Sequence, residues 1–142
     1  MMTDRRLDAL AGHWISRGRT VGEAVPISGT DTYEWLAGGH FLVHRVDVRM
    51  GEEKVEAIEM IGPYDPDGDC WPARAFDSSG HYGTMRATVD GDGVWTFAGE
   101  SERATLRIAP GGDAMSAFWE RTEDGTSWTH WMDMEFTRST PV

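Results

Sequence analysis

One histidine and one glutamate stand opposite each other in a predicted hairpin, where they could bind a ligand or move a proton. The hairpin covers residues 41–61, two runs of alternating apolar residues joined by a glycine-containing turn. A loop of even length places His44 opposite Glu59, on a face that is otherwise apolar. An imidazole that a carboxylate orients can act as a general base near neutral pH. We therefore predict that His44 and Glu59 point into the interior, as an acid–base pair or as a hydrogen-bonded pair of the core.

The last predicted hairpin directs a second imidazole inward. With a turn at residues 123–126, Trp119 lies opposite His130, and Arg121 lies opposite Trp128. Asp31 and Tyr33 alternate with Trp35 on an earlier strand, where they could line a barrel mouth. The residues that we expect to contact a ligand are His130, Arg121, Trp119, Trp128, Met132, Tyr33 and Trp35.

The turn signals predict an all-β fold. Short runs of period-two pattern are separated by glycine-rich turns roughly every 8 to 12 residues, over about ten strands. This pattern favours a closed antiparallel up-and-down β-barrel, with a two-sheet sandwich as the alternative. Asp4 is predicted to cap a short N-terminal helix over residues 5–11, which would flank one barrel end. The whole chain, residues 1–142, is expected to form one domain.

Small side chains recur on the faces predicted to point inward. They are Ala57, Ala73, Ala75, Gly83, Ala87 and Ala117. A ten-stranded barrel is wider than side chains alone easily fill, so we expect an interior cavity. The alternation leaves open which way Trp95 and Phe97 face.

Composition narrows the class of partner. The net charge of −11 argues against nucleic acid and against anionic membrane surfaces. A single cysteine, Cys70, excludes an internal disulfide and fits a reducing cytoplasm, and the N-terminal segment lacks the apolar run of a signal peptide. We expect a cytoplasmic protein. No metal site is predicted because the histidines lack a close metal-ligand spacing, and a homodimer is compatible with the sequence.

Several motifs resemble known barrel families. Gly12-His13-Trp14 on the first strand and the late Arg138 resemble the calycin pattern, in which the basic side chain covers the tryptophan at a barrel end. More closely, the chain is similar to an uncharacterised bacterial family of lipocalin-like domains. The segments that carry this similarity are 31–36, 38–39, 41–47, 56–59, 76–77, 95–97 and 131–133. The resemblance implies a calycin-type barrel and gives little chemistry.

A more distant resemblance is to nitrobindins, small haem-binding barrels. The shared feature is the spacing of Gly12, Trp14 and Gly18 on the first strand. The resemblance implies that a histidine on the last strand, here His130, would hold haem iron. Haem is therefore an alternative cofactor.

These observations lead to three functional hypotheses. The first is a protein that binds a small hydrophobic or aromatic molecule in an aromatic-lined cavity. The second is a cofactor-free enzyme, of the isomerase, cyclase or hydrolase type, in which His44 and Glu59 abstract a proton and Arg121 stabilises negative charge. The third is a haem-binding protein that uses His130.

Overall fold

Ten antiparallel strands close into one up-and-down barrel. The computed structural model describes residues 4–140. Each strand pairs with its neighbours in sequence, and β1 pairs with β10 to close the sheet. The strands are β1 (Gly12–Thr20), β2 (Pro26–Trp35), β3 (Leu42–Met50), β4 (Glu53–Ile61), β5 (Trp71–Asp77), β6 (Tyr82–Val89), β7 (Trp95–Gly99), β8 (Glu102–Ile108), β9 (Ala114–Arg121) and β10 (Thr129–Ser139). The predicted closed barrel is confirmed. Its closure leaves no sheet edge unpaired among these strands.

The β3–β4 hairpin has the predicted register. A two-residue turn joins the strands, and Gly51 adopts a φ of 63°, which a glycine tolerates without steric cost. His44 lies opposite Glu59, as the alternation of apolar residues requires. In the hairpin of β5 and β6, Ala75 lies opposite Gly83, and both are on the inward face that was predicted for them.

Trp95 and Phe97, whose direction the sequence left open, both face the interior. The turn before β7 closes through a hydrogen bond from the Asp90 N–H to the Val94 carbonyl. This turn brings Trp95 opposite Val89, and both tryptophan and phenylalanine are buried. The two aromatic rings therefore belong to the core.

The predicted N-terminal helix over residues 5–11 is wrong. The segment instead forms a single 3₁₀ turn, Arg6–Ala9, and the carboxylate of Asp4 accepts a hydrogen bond from the Arg6 N–H. Leu7 and Leu10 are both buried. Leu7 and Leu10 are three residues apart, which matches the three-residue repeat of a 3₁₀ helix. The segment is too short to propagate an α-helix. Within residues 4–140, no helix has the length and apolar character needed to cross a bilayer.

The 3₁₀ turn and a tryptophan close one end of the barrel. Trp14 is fully buried and donates its indole N–H to the carbonyl of Leu10 at 2.9 Å. The Arg138 guanidinium lies 4.1 Å from the centre of the Trp14 ring and donates to the carbonyl of Ala11 at 2.6 Å. The contact that the calycin resemblance implied is therefore present, and it covers the core from solvent at this end.

The last hairpin does not have the predicted register. The carboxylate of Asp124 accepts hydrogen bonds from the Thr126 and Ser127 N–H groups, which lengthens the turn, and Thr129 then lies opposite Arg121. A β-bulge between His130 and Met132 adds one residue to β10. Because successive side chains point to opposite faces, the shift reverses the direction of the residues before the bulge.

Candidate functional site

A histidine lies between two carboxylates in the interior of the barrel. The Nε2 atom of His44 is 2.6 Å from Oδ2 of Asp31, and its Nδ1 atom is 2.9 Å from Oε1 of Glu59. The three side chains come from β2, β3 and β4, and each is at most 13 % exposed. The predicted inward pair is therefore present, with a third member from β2.

Two further residues complete this cluster. The hydroxyl of Ser16 on β1 donates to Oδ1 of Asp31 at 2.5 Å. The ring of Tyr33 stacks on the His44 imidazole, with 3.9 Å between the centroids. We call Ser16, Asp31, Tyr33, His44 and Glu59 the inner cluster. Hydrogen bonds hold Asp31 and His44 rigidly because burial makes an unpaired polar group costly.

The inner cluster carries a net negative charge at neutral pH. Burial lowers the pKa of His44, but its hydrogen bonds to Asp31 and Glu59, with the charges of both carboxylates, outweigh burial and raise the pKa to about 9. The imidazole is therefore protonated and donates both N–H groups. Two carboxylates against one imidazolium leave a net charge of −1.

This arrangement changes the acid–base hypothesis. A general base needs a free lone pair, and both nitrogens of His44 are already engaged with carboxylates. The base role predicted for His44 does not fit this geometry. Of the two members of the predicted pair, Glu59 has the oxygen that can accept a proton.

Two polar atoms of the inner cluster remain without a protein partner. These are the Oε2 atom of Glu59 and the hydroxyl of Tyr33, for which residues 4–140 supply no hydrogen bond. In the same part of the chain, every fully enclosed side-chain nitrogen or oxygen has a hydrogen-bond partner. Both atoms therefore contact accessible space, although Tyr33 as a whole is only 6 % exposed.

That accessible space begins beside Glu59. Five residues on the inward face lie directly opposite one another across successive strands, in the order Tyr33, His44, Glu59, Ala75 and Gly83. A Cβ placed on Gly83 would meet no other described atom within 4 Å. The row thus ends in open space, at the barrel end opposite the 3₁₀ turn. We call this end the mouth.

Charged and aromatic groups surround the mouth. Glu102 on β8 lies opposite Arg121 on β9. Burial raises the pKa of Glu102, Arg121 opposes that rise, and Asp77 adds to it. The Arg121 guanidinium lies 5.0 Å from the centre of the Trp131 ring, and Trp119 meets that ring edge-on. The mouth therefore combines two carboxylates, one guanidinium and two indoles.

The predicted ligand-contact residues fall into separate regions. Tyr33 belongs to the inner cluster. Trp119, Arg121 and Met132 lie on inward positions near the mouth. Trp35 lies at the closed end, where its indole N–H donates to Asp8 at 2.7 Å.

Two residues predicted to point inward lie outside the barrel. His130 lies opposite Glu120, bonds to Asp133 at 2.8 Å, and stacks on the exposed ring of Phe118. Trp128 lies in the lengthened turn before β10, and the Arg103 guanidinium is 4.2 Å from the centre of the Trp128 ring. The inward direction predicted for both is wrong because the turn and the bulge change the register.

The residues present do not fit an interior haem. The His130 imidazole points away from the barrel interior and is engaged with Asp133. Of the histidines in residues 4–140, His44 is held in the interior cluster, and neither of its ring nitrogens is free to ligate iron. The same part of the chain holds no group of three or more His, Cys, Asp or Glu side chains arranged for a metal ion.

Two concavities lie on the outside of the barrel. One of about 570 Å³ is bordered by Arg17, Phe118 and Glu135, and one of about 360 Å³ adjoins it along β8 to β10. The enclosed interior cavity expected from the small side chains is not one of them. Accessible space is marked instead by Gly83, an exposed residue at the mouth, and by the unpartnered atoms of Glu59 and Tyr33.

Sequence analysis missed Ser16 and Glu102 as members of the site, and it placed Asp31 at a barrel mouth without pairing it with His44. Asp31 alternates with Tyr33 on β2, and Tyr33 lies opposite His44. A correct prediction of how β2 pairs with β3 would therefore have placed Asp31 beside His44. Ser16 shares the face of Trp14 on β1, which is the only local signal for its inward direction.

Comparisons with known proteins identify the fold. No protein-family model matches the chain, and no curated protein matches it in sequence. The crystal structure of Rv2717c from M. tuberculosis is similar with a TM-score of 0.71 and 16 % identity, over 97 % of this chain and 99 % of that chain. A de novo designed fluorescence-activating β-barrel is similar with a TM-score of 0.54 and 16 % identity, over 97 % of this chain and 100 % of the designed one. At these identities, the similarity shows a shared barrel fold.

Proposed function

We propose that this protein binds a small, largely apolar molecule that enters through the mouth and places one polar group against the inner cluster. The observation that carries the proposal is the pair of atoms, Glu59 Oε2 and the Tyr33 hydroxyl, that have no hydrogen-bond partner in residues 4–140 and reach accessible space. Ligand sites of this kind combine apolar walls with a few convergent polar groups.

The walls near the mouth suit an aromatic or aliphatic guest. Trp119 and Met132 face each other across β9 and β10. Ala75 and Gly83, at the mouth end of the row of inward residues, are small and leave room for a ligand. The designed barrel of similar fold is fluorescence-activating, which supports a small aromatic molecule as the partner. The Trp14–Arg138 contact supports membership of the calycin-type barrels.

A neutral fluorescent dye, N-phenyl-1-naphthylamine, tests this proposal. We expect saturable binding to the wild-type protein and about tenfold weaker binding to Gly83→Phe, whose ring would fill the space at the mouth. The matched control is Thr84→Phe, which adds the same ring at the next residue of β6, on the outer face.

Thr84→Phe should bind the dye like the wild type. The proposal fails if the wild-type protein shows no saturable binding. It also fails if both phenylalanine variants weaken binding equally, because the dye would then not occupy the mouth.

A second candidate function is acid–base catalysis on the bound molecule, with Glu59 as the base. It is favoured by the free Oε2 atom of Glu59, since the other oxygen is held by the His44 imidazolium. A carboxylate in this position could abstract a proton from a substrate C–H or N–H group. Glu59→Gln would then remove turnover while substrate still binds, and retained turnover would exclude this role.

A further inference from the structure

We infer that the molecule bound in the barrel is an organic cation, an aromatic or aliphatic amine whose ammonium group is held by Glu59 and Tyr33. This inference rests on the proposed function and names the class of ligand. It follows from the hydrogen-bonding groups that the inner cluster leaves free, and from the charges along the path to them.

The inner cluster offers acceptors to a ligand. Both N–H groups of the His44 imidazolium are donated to carboxylates, so none is left for an anion. Glu59 Oε2 can only accept, and the Tyr33 hydroxyl can accept through its oxygen as well as donate its O–H. An ammonium group has three N–H donors and no acceptor, which matches the two acceptor oxygens of this set.

The charge balance has the same sign. Asp31 and Glu59 carry two negative charges against the single positive charge of His44, and these three side chains are largely buried. A cationic ligand would neutralise the remaining charge. An anionic ligand would add a third negative charge to a site of low dielectric, where like charges repel strongly.

The Tyr33 hydroxyl is a separate observation that points to a ligand. Tyr33 is only 6 % exposed, and residues 4–140 supply no hydrogen bond to its hydroxyl. Since every fully enclosed side-chain oxygen in that part of the chain has a partner, this hydroxyl reaches accessible space, where a ligand could bind it. Burial, with the charges of Asp31 and Glu59, raises the pKa of Tyr33 well above its usual range, so the hydroxyl is neutral at physiological pH.

The mouth carries the same excess of negative charge. Glu102 lies opposite Arg121, and the negative charge of Asp77 also acts on Glu102. The Arg121 guanidinium is also held against the Trp131 ring. Carboxylates along the path to a recessed site raise the local concentration of cations.

Three probes of similar shape and different charge test this inference by isothermal titration calorimetry at pH 7. The probes are 1-naphthylmethylamine, 1-naphthalenemethanol and 1-naphthylacetate. We expect the amine to bind about tenfold more tightly than the alcohol, and the carboxylate to bind most weakly. In Glu59→Gln, the preference for the amine over the alcohol should disappear while the alcohol still binds.

A second variant covers the case in which Glu59→Gln does not fold. Glu102→Gln removes a carboxylate at the mouth and leaves the inner cluster intact, and it should weaken amine binding severalfold without changing alcohol binding. Equal affinities of the amine and the alcohol for the wild-type protein would overturn the inference and leave the proposed function standing. An amine preference that survives unchanged in Glu59→Gln, or in Glu102→Gln where Glu59→Gln does not fold, would also overturn it. If none of the three probes binds, the proposed function fails together with the inference.

Discussion

The ring of Tyr33 lies almost parallel to the imidazole of His44, with 3.9 Å between the ring centroids and 10° between their planes. The two residues are directly opposite each other on β2 and β3. A protonated imidazole over an aromatic face is attracted by the negative face of that ring. The stack fixes the plane of His44, and with it the direction of the two N–H groups that reach Asp31 and Glu59.

The first prediction concerns stability against pH. The pKa of His44 in the folded protein is about 9, above the ordinary value of 6.5. The folded state therefore binds the proton more tightly than the unfolded state does. The stabilisation is fully present below pH 6.5 and is lost as the pH rises through 9, by about 3 kcal/mol in the free energy of unfolding.

Urea unfolding between pH 6 and pH 9.5 measures this loss, with His44→Gln as the control because the amide does not titrate. The wild-type protein should lose more stability than the variant over this range. NMR titration of the His44 ring gives an independent value. A midpoint near 6.5 would contradict the charge assigned to the inner cluster.

The second prediction compares the two carboxylates that hold His44. Asp31 accepts hydrogen bonds from both Ser16 and His44, whereas Glu59 accepts one from His44. Asp31→Ala leaves two buried donors unpaired and should cost about 2–4 kcal/mol of unfolding free energy. Glu59→Ala should cost about 1–2 kcal/mol. Denaturant unfolding at pH 7 orders the two variants, and a larger loss for Glu59→Ala would show that the network is not as described.

The third prediction tests the closed end of the barrel. Arg138→Ala removes the contact with Trp14 and the hydrogen bonds to the carbonyls of Ala11 and Gly112, and should cost about 2 kcal/mol. Arg19→Ala is the control, because Arg19 is an exposed arginine of β1, the strand that carries Trp14. Its unfolding free energy should stay within about 0.5 kcal/mol of the wild type. Equal losses of unfolding free energy in the two variants would show that Arg138 does not stabilise the closed end more than an exposed arginine does.

The fourth prediction concerns the close approach of β1 and β10. A Cβ on Gly18 would overlap the carbonyl oxygen of Asp133 and the sulfur of Met134. Gly18→Ala should therefore lower the thermal midpoint and cost about 2 kcal/mol or more. Gly91→Ala is the control, since no other described atom lies within 4 Å of its Cβ position. A neutral Gly18→Ala would mean that the two strands separate at little cost.

The barrel was predictable from sequence where the alternation of apolar residues continued without interruption. The hairpin of β3 and β4 is such a case, because a slip of one residue would have set Val48 against Glu56. The last hairpin is the opposite case. The Asp124 turn and the bulge near Trp131 depend on side-chain hydrogen bonds and on one inserted residue, which a period-two pattern does not reveal.

The candidate site was predictable only in part for a related reason. His44 and Glu59 lie in one hairpin, so the local pattern was enough to pair them. Asp31 reaches His44 from β2, across a connection whose length does not fix a register by itself. Ser16 lies one strand further away, on β1. For each added strand, the register of one more strand pair has to be predicted. The chemistry of the inner cluster depends on every one of these registers.

Because Trp14 and Arg138 seal one end of the barrel, a molecule that enters through the mouth must also leave through the mouth. The barrel is therefore a dead-end cavity and cannot work as a channel. A bulky group at the mouth would then slow both the association and the dissociation of a ligand.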